Sequence, residues 1–384
     1  MQIDTLIKNG HVIDPARGID GIRAVGIRGN RIIEIKEQDV SATLVIDASG
    51  CYVFPGLIDF HAHLFHGGTI MSINPDFLLC TGVTAAVDAG SSGCATYLAF
   101  HQSVIVQSWV RIKTYLSCFT GGMVGAGFPE NFDPALFDKA KIAQLVEEYE
   151  DNILGLKLRL SLCNNMSKDI KPLEAAIALA EDIGSISVCV HVTNPPCAMT
   201  DIVNLLRKDD VLCHVFHRTG DTLFDKNVKI PAAFRKARER GVIFDMAHGR
   251  TNFSHKVCQD ALRESFLPDI LSTDMTEDTL FSLNQARSLP FVMSQFLSYG
   301  ISLTEVVRAT TQTPARLMKM EGQIGTLAPG ALADVAIFKM TDRKVMYLDK
   351  DREKHFGNGL LVPQATISNG LLAFAQIDFN LPSQ

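Results

Sequence analysis

The sequence predicts an α/β protein in which a (β/α)8 barrel, or TIM barrel, carries a small β-sandwich domain formed by both chain termini. From Gly56 onward, short apolar runs alternate with helical stretches such as 173–182 and 201–206, and this alternation is typical of βαβ units with a parallel sheet. Eight such runs can be counted, which is the number of strands in this barrel. They end near His63, Asp88, Ser117, Arg159, His191, Phe216, His248 and Asp274.

Both ends of the chain are rich in short strands and turns. Asn9-Gly10 and Gly29-Asn30 each lie between apolar runs, as expected of the turns of β-hairpins. Residues 332–338 and 364–370 again have the composition of short strands. We therefore expect the two β-rich ends to pair with each other.

The length of 384 residues fits one large domain with a smaller companion, because it exceeds what a single small core usually holds. We expect residues 1–54 and 322–384 to form the β-sandwich domain. Residues 55–321 would then form the barrel, inserted between the two parts of the smaller domain.

Composition and charge argue against two classes of partner, membranes and nucleic acids. The chain is 47% hydrophobic and 20% charged, as globular proteins are, and it has no apolar run near the roughly 20 residues that span a bilayer. We therefore expect no membrane partner. The net charge of −6 argues against nucleic acid, because phosphate binding needs a basic surface. The expected partner is a small-molecule substrate, and a homo-oligomer is compatible with the sequence.

The N-terminus and the cysteines indicate a cytoplasmic protein. Asp4 lies where a secretory signal peptide carries basic residues, and no extended apolar segment follows it. The nine cysteines are an odd number. Cys118, Cys189 and Cys213 lie inside apolar runs, and we interpret such cysteines as reduced core residues rather than as a disulfide framework.

The most informative motif is Leu57-Ile58-Asp59-Phe60-His61-Ala62-His63, in which two histidines follow an apolar run. Side chains two positions apart in a strand lie on the same face, so His61 and His63 can point into one cavity. Neutral imidazole is a common ligand of zinc and similar ions. The pair therefore indicates a metal site, although two structural histidines would give the same pattern.

Four more polar residues lie at or near the ends of later predicted strands. In a (β/α)8 barrel, catalytic groups lie where the strands finish. Each residue taken alone could instead satisfy a local hydrogen bond in the core, but a common position at one end of the barrel favours a shared site. The residues are Lys157 on strand 4, His191 on strand 5, His214 on strand 6 and Asp274 on strand 8.

Together these residues resemble the amidohydrolase superfamily, in its binuclear-metal subtype. The lead-in at 55–59 and the tail segments 313–316 and 330–334 are also similar to that superfamily. More narrowly, His66-Gly67-Gly68-Thr69 and residues 244–249 resemble the dihydroorotase-like amidohydrolase/deacetylase group. The resemblance implies a metal-dependent hydrolase.

The resemblance also implies how two divalent metal ions, expected to be zinc, are held. Lys157 would be carboxylated on its amine, which turns a cation into an anion that bridges both ions. A hydroxide bridging the ions would attack the substrate, with Asp274 as the catalytic base and then acid. The implied ligands are His61, His63 and Asp274 for one ion, His191 and His214 for the other, and Lys157 for both.

Three further residues are expected to bind the substrate. Arg159 lies two positions after Lys157 on the same strand face, and its planar guanidinium suits a substrate carboxylate; a structural salt bridge is the alternative. His248 could orient a substrate carbonyl or be a structural histidine. His217 could meet a substrate anion or cap the next element.

The expected reaction is cleavage of an acyl ester or amide, as by a deacetylase or esterase of small acylated hydroxy or amino acids. Bacterial-type dihydroorotases usually carry an arginine two positions after the paired histidines, and Phe65 stands there in this chain. The alternatives are a cyclic amide hydrolase similar to dihydroorotase or hydantoinase, a deaminase, and a non-catalytic scaffold that keeps only the fold.

Overall fold

The structure is a computed structural model and describes residues 2–35, 41–125, 127–163 and 167–380. In these ranges, no helix combines the length and the apolar composition that crossing a membrane requires. The strands form two sheets, one of eight strands and one of seven. In chain order the strands are β1 (Gln2–Asp14), β2 (Ile19–Arg28), β3 (Arg31–Ile33), β4 (Ser41–Asp47), β5 (Tyr52–Pro55), β6 (Leu57–Ala62), β7 (Val83–Gly93), β8 (Arg111–Ser117), β9 (Ile153–Arg159), β10 (Ser187–His191), β11 (Val211–Cys213), β12 (Ile243–Asp245), β13 (Val335–Leu348), β14 (Lys354–Ser368) and β15 (Leu371–Ala375).

Helices follow most strands of the seven-stranded sheet, as the alternating pattern predicts. Short 3₁₀-helices span Pro75–Thr81 and Pro134–Leu136, and a π-helical turn spans His101–Ile105. The α-helices are α1 (Tyr97–Phe100), α2 (Lys139–Glu148), α3 (Lys171–Asp182), α4 (Met199–Leu205), α5 (Ala232–Arg240), α6 (His255–Arg263), α7 (Glu277–Leu280), α8 (Leu289–Ser298), α9 (Leu303–Thr310) and α10 (Gln312–Leu317).

The eight-stranded sheet contains strands from both ends of the chain. Its order is β15-β14-β13-β5-β1-β2-β3, with β4 also paired to β1. The two ends meet where β5 runs antiparallel to β13, with Pro55 opposite Val335. The expected pairing of the termini is therefore present. The described strands of the two chain ends form one continuous sheet, and the expectation of a two-layered sandwich stays a prediction.

The seven-stranded sheet is parallel and curled. Strands β6 to β12 are neighbours in chain order. Ile58 on the first strand and Ile243 on the last belong to one buried hydrophobic cluster, together with Val87 and Leu154 from strands between them. Because the first and last strands contribute to the same cluster, the sheet curls around it.

Residues 270–275 connect the two edges of the curled sheet, although they form no regular strand. Ile270 bridges to Asp245 of β12, and Met275 bridges to Ala62 of β6, both in the parallel sense. The His63 amide donates to the Met275 carbonyl at 2.9 Å. This segment occupies the place of the predicted eighth strand.

Two predicted strands end earlier than expected. β11 ends at Cys213 rather than near Phe216, and β12 ends at Asp245 rather than near His248. In each case a residue with left-handed backbone follows, His214 with φ of 63° and Ala247 with φ of 37°. Non-glycine residues rarely adopt such angles, and the apolar runs gave no sign of them.

The predicted hairpin turn at Asn9-Gly10 is wrong. β1 continues through both residues, and its pairing with β2 shifts register between Ile7 and Gly10. Asn9 has φ of 62°, so the two residues form a β-bulge instead of a turn. The turn at Gly29-Asn30 is confirmed, since it joins β2 to β3.

A buried carboxylate fastens β1 to the segment that precedes β13. Asp14 is fully buried. Its Oδ2 accepts hydrogen bonds from the Thr326 hydroxyl at 2.9 Å and the Leu327 amide at 2.8 Å. These donors come from the far end of the chain, so the contact holds the two terminal regions together.

We expect Asp14→Ala to lower the free energy of unfolding by about 2 to 3 kcal/mol, because it leaves buried donors without their charged acceptor. Chemical denaturation measures the difference. The matched control is Asp342→Ala, at an exposed position of β13, where a change within about 0.5 kcal/mol is expected. Equal stabilities of the two variants would contradict the role given to Asp14.

Candidate metal centre and active site

Three of the predicted metal ligands converge at the ends of β6 and of segment 270–275. His63 Nε2 lies 3.2 Å from Asp274 Oδ1, and His61 Nε2 lies 3.6 Å from the same oxygen. One donor atom from each of the three residues lies within 4.8 Å of the other two, so the three atoms could bind one metal ion. Imidazole and carboxylate donors at this spacing suit zinc and similar divalent ions.

The histidines are held with Nε2 as the nitrogen available to an ion. His61 Nδ1 is hydrogen-bonded to Asp245 Oδ2 at 3.1 Å, and His63 Nδ1 to Ser91 Oγ at 3.0 Å. His214 Nδ1 donates to the Ala247 carbonyl at 2.7 Å. Metal-binding histidines characteristically use the second ring nitrogen in this way, so this pattern fits a metal centre.

The two remaining predicted histidine ligands lie beside this group. The ring centroids of His191 and His214 are 4.4 Å apart, and those of His61 and His214 are 5.1 Å apart. Burial lowers the pKa of His214 to about 3 and the pKa values of His61 and His191 well below their usual range. The three rings are therefore neutral at physiological pH, which is the form that binds metal ions.

Lys157 extends from β9 into the same group. Its Nζ lies 3.4 Å from His61 Nε2. The stem of the side chain packs against Gly90, where an added Cβ would come within 2.6 Å of Lys157 Cβ and Cγ. The absence of a side chain at residue 90 thus makes room for the lysine.

Asp274 has an unusual backbone and several partners. Its φ is 51°, in the left-handed region that costs a non-glycine residue free energy and is often found at functional sites. Burial acts to raise the pKa of its carboxyl group, but the hydrogen bond with His63 and the nearby imidazoles hold it well below its usual range. The side chain is therefore an ionised carboxylate.

A cavity of about 430 Å³ opens above these residues. All six predicted metal ligands line it, and so does Arg159. Arg159 forms an ion pair with Glu130, whose side chain is 8% exposed. Glu130 comes from the loop between β8 and α2, and the sequence offered no signal for it because loop residues carry no periodic pattern.

The structure does not bring the other two predicted substrate-binding residues to the cavity wall. His217 is fully buried. His248 is also buried, stacks on Phe253 with ring centroids 4.2 Å apart, and donates from Nδ1 to the Gly249 carbonyl at 2.8 Å. Contact of either histidine with substrate stays a prediction.

Several residues that support the predicted ligands were not identified from the sequence. Asp245 holds His61, and Asp59 accepts from the Thr273 amide at 3.0 Å and from its hydroxyl at 2.5 Å. Both aspartates end or interrupt apolar runs, which is a signal that could have found them. Cys189 and Cys213 lie 3.5 and 3.7 Å from Lys157 Nζ; they are buried, as expected, and they form the floor beneath the lysine.

Comparison with known proteins identifies the family. Residues 52–370 match the model of the amidohydrolase family. The chain belongs to this family. It is accordingly an enzyme of the amidohydrolase superfamily. The alternative of a non-catalytic scaffold is therefore rejected.

Individual relatives of this amidohydrolase carry different activities in their names. A deacetylase of Agrobacterium fabrum is 32% identical over 318 residues, which make up 82% of this chain and 77% of the relative. The crystal structure of an adenine deaminase is similar with a TM-score of 0.89 and 26% identity, covering 97% of this chain and 100% of the other. The crystal structure of a dihydroorotase is similar with a TM-score of 0.86 and 28% identity, covering 97% and 98%. The likeness extends over nearly the whole chain.

The buried His217 predicts a pH dependence of stability. Burial lowers its pKa to about 4, whereas in the unfolded chain the pKa returns to about 6.5. The unfolded state therefore binds the additional proton first, so the free energy of unfolding falls as pH falls from about 6.5 to about 4.

We expect His217→Met to remove up to about 3 kcal/mol of this acid-induced loss, because methionine does not titrate. Denaturant unfolding at about pH 7 and about pH 4 measures the loss for both proteins. Parallel losses in wild type and variant would show that His217 is not buried as a neutral ring.

Proposed function

We propose that this amidohydrolase is a metal-dependent deacetylase or esterase that cleaves an acyl ester or amide of a small hydroxy or amino acid. The observation that carries the proposal is the convergence of His61 Nε2 and His63 Nε2 on Asp274 Oδ1, at 3.6 and 3.2 Å. The deacetylase of A. fabrum supports hydrolysis of an acyl group as the reaction.

We infer that the site holds two divalent ions, expected to be zinc, with Lys157 carboxylated. Carboxylation would replace a cation 3.4 Å from His61 Nε2 by an anionic ligand, which removes the repulsion that an ammonium group exerts on bound cations. When bound, the two ions lower the pKa of a water molecule and polarise a substrate carbonyl. The proposed ligands are His61, His63 and Asp274 for one ion, His191 and His214 for the other, and Lys157 between them.

Asp274 is the proposed acid–base residue. Its carboxylate is ionised, so it can take a proton from the attacking water and deliver it to the departing oxygen or nitrogen. The neighbouring imidazoles of His61 and His214 are neutral and engage their Nδ1 atoms in hydrogen bonds outside the cavity, which leaves this proton transfer to the carboxylate. No serine or cysteine nucleophile is needed in this scheme.

Arg159 is the proposed contact for a substrate carboxylate. It lines the cavity, and its guanidinium can form two parallel hydrogen bonds with such a group. In the structure its partner is the Glu130 carboxylate. A substrate carboxylate would compete with Glu130 for the same guanidinium. Phe65 is buried and packs on Phe100 with ring centroids 4.9 Å apart, so the position where dihydroorotases carry arginine offers no charge to the substrate.

A second candidate function is hydrolysis of a cyclic amide or deamination. The dihydroorotase and adenine deaminase structures support it, since they are similar to this chain over nearly its whole length. The same donor set would serve attack on a ring carbonyl or an amidine carbon. The apolar position of Phe65 favours the acyl hydrolase over a dihydroorotase.

We also infer the finer organisation of the fold. Residues 270–275 would close the curled sheet as the eighth strand of a (β/α)8 barrel, supported by their hydrogen bonds to both edge strands. The proposed domains are 55–321 for the barrel and 1–54 with 322–384 for the terminal β domain. The sequence is compatible with a homo-oligomer, and light scattering measures the oligomeric state.

Metal-dependent release of a carboxylic acid is the first expected outcome. Zinc-loaded protein incubated with O-acetyl hydroxy acids, N-acetyl amino acids and cyclic amides should release acetate, detected by NMR. Chelator-treated protein should be inactive, and added zinc should restore activity. Asp274→Asn should lower kcat by about 10² to 10⁴-fold while the protein stays folded. Ring-opened acid or ammonia as the sole product would replace the acyl hydrolase with the second candidate.

The role of Arg159 predicts a difference between charged and neutral substrates. Arg159→Met should raise KM roughly tenfold or more for an acylated acid, since a charge-assisted hydrogen bond is lost, with little effect on its methyl ester. Glu130→Gln is the matched variant, because it frees the guanidinium and should not raise KM for the acid. An equal effect of Arg159→Met on both substrates would assign Arg159 to structure alone.

A further inference from the structure

The two carboxylate oxygens of Asp274 have different partners. Oδ1 faces the histidines, at 3.2 Å from His63 Nε2 and 3.6 Å from His61 Nε2. Oδ2 accepts a hydrogen bond from Asn252 Nδ2 at 2.9 Å. Asn252 lies in the loop that follows β12 and is buried. The carboxylate is thus held between the metal ligands on one side and a single amide on the other.

A second residue fixes the orientation of that amide. Thr193, in the loop that follows β10, donates its hydroxyl hydrogen to Asn252 Oδ1 at 2.9 Å. An asparagine whose oxygen is engaged by a hydroxyl donor must present its NH₂ group on the opposite side. The Thr193 hydroxyl, joined by the Thr251 hydroxyl at 3.4 Å from the same oxygen, therefore favours the orientation in which the NH₂ group of Asn252 faces Asp274.

The backbone beneath this contact leaves no room for a side chain. A Cβ on Gly249 would lie 2.5 Å from Asp274 Oδ2 and 2.9 Å from Asn252 Nδ2. Gly249 has φ of 53°, and its amide donates to the Thr273 carbonyl at 2.9 Å. The chain thus brings the loop after β12 directly under the Asn252–Asp274 hydrogen bond.

We propose that Asn252 is a positioning residue for Asp274 and that Thr193 acts through it. Asp274 has a left-handed backbone at the end of a segment without regular strand pairing, so its carboxylate needs restraint from side chains. Rotation of the carboxylate about its terminal bond would move Oδ1 away from the histidines. Asn252 prevents this rotation by binding Oδ2. The inference rests on the proposed function, in which Asp274 both binds an ion and moves the proton.

The test compares four variants of the full-length protein. Asn252→Ala removes the donor, and Asn252→Asp replaces it with a like charge. Thr193→Val removes the hydroxyl that orients the amide, and Thr193→Ser keeps it. For each variant we would measure metal content, the visible absorption spectrum of the cobalt-loaded protein, and kcat and KM for the acylated acid that the wild type hydrolyses.

The expected results form a graded series. Asn252→Ala should lower kcat about 10- to 100-fold, the usual effect of removing a residue that orients a metal ligand, with KM little changed. Asn252→Asp should lower kcat further. Thr193→Val should lower kcat about 2- to 10-fold, as expected of one neutral hydrogen bond, and Thr193→Ser should have the kcat of the wild type. The cobalt spectra of Asn252→Ala and Asn252→Asp should change, because the geometry of a cobalt ligand has changed.

The spectral measurement separates this inference from the proposed function. A wild type inactive on every acylated acid would overturn the proposed function, while a spectrum altered by Asn252→Ala and unaltered by Thr193→Ser would still support the positioning role. An Asn252→Ala protein with wild-type spectrum and kcat would overturn the inference. So would a Thr193→Ser protein as impaired as Thr193→Val, since that result would assign Thr193 to packing.

Discussion

The site depends on burying several imidazoles without charging them. A buried imidazole that keeps both nitrogens unpaired loses hydrogen bonds it would make in water, and a charged one would repel any bound cation. Each Nδ1 of His61, His63 and His214 has a hydrogen-bond partner outside the cavity, and burial lowers the pKa of His61 and His214, so these two rings stay uncharged. Each Nε2 is then the atom left for an ion. The direction of the imidazoles is set by Asp245, Ser91 and one backbone carbonyl.

The parallel arrangement of strands makes this convergence possible. Strands β6 to β12 all run in the same direction, so their carboxyl ends lie at one edge and the residues that follow them share one cavity. The left-handed backbones of His214 and Asp274 turn the chain sharply at that edge. Such conformations cost free energy and persist only where surrounding contacts support them. Here the support comes from side chains of neighbouring loops, such as Asn252.

The sequence was sufficient to predict those parts of the site that local spacing controls. His61 and His63 share a strand and a period of two, so their common face could be predicted without knowing the rest of the fold. The parallel sheet followed from the alternation of apolar runs and helices. The Asn9-Gly10 bulge could not be recognised, because the dipeptide that favours a hairpin turn also tolerates the left-handed backbone of a bulge. Glu130 was missed for a different reason. It acts on a partner distant in sequence, and no periodicity within a loop encodes such a contact. Asp245 ends an apolar run, which is visible in the sequence, but its contact with the distant His61 is not.

The proposed donors form a two-ion centre, and anomalous X-ray diffraction from crystals of zinc-loaded protein shows whether both ions bind. We expect two peaks of anomalous density at the zinc edge. One should lie among His61, His63 and Asp274, the other beside His191 and His214, with electron density for a carboxyl group on Lys157 between them. Absence of anomalous density at both positions, or a single ion bound instead by Cys189 and Cys213, would contradict the two-ion centre.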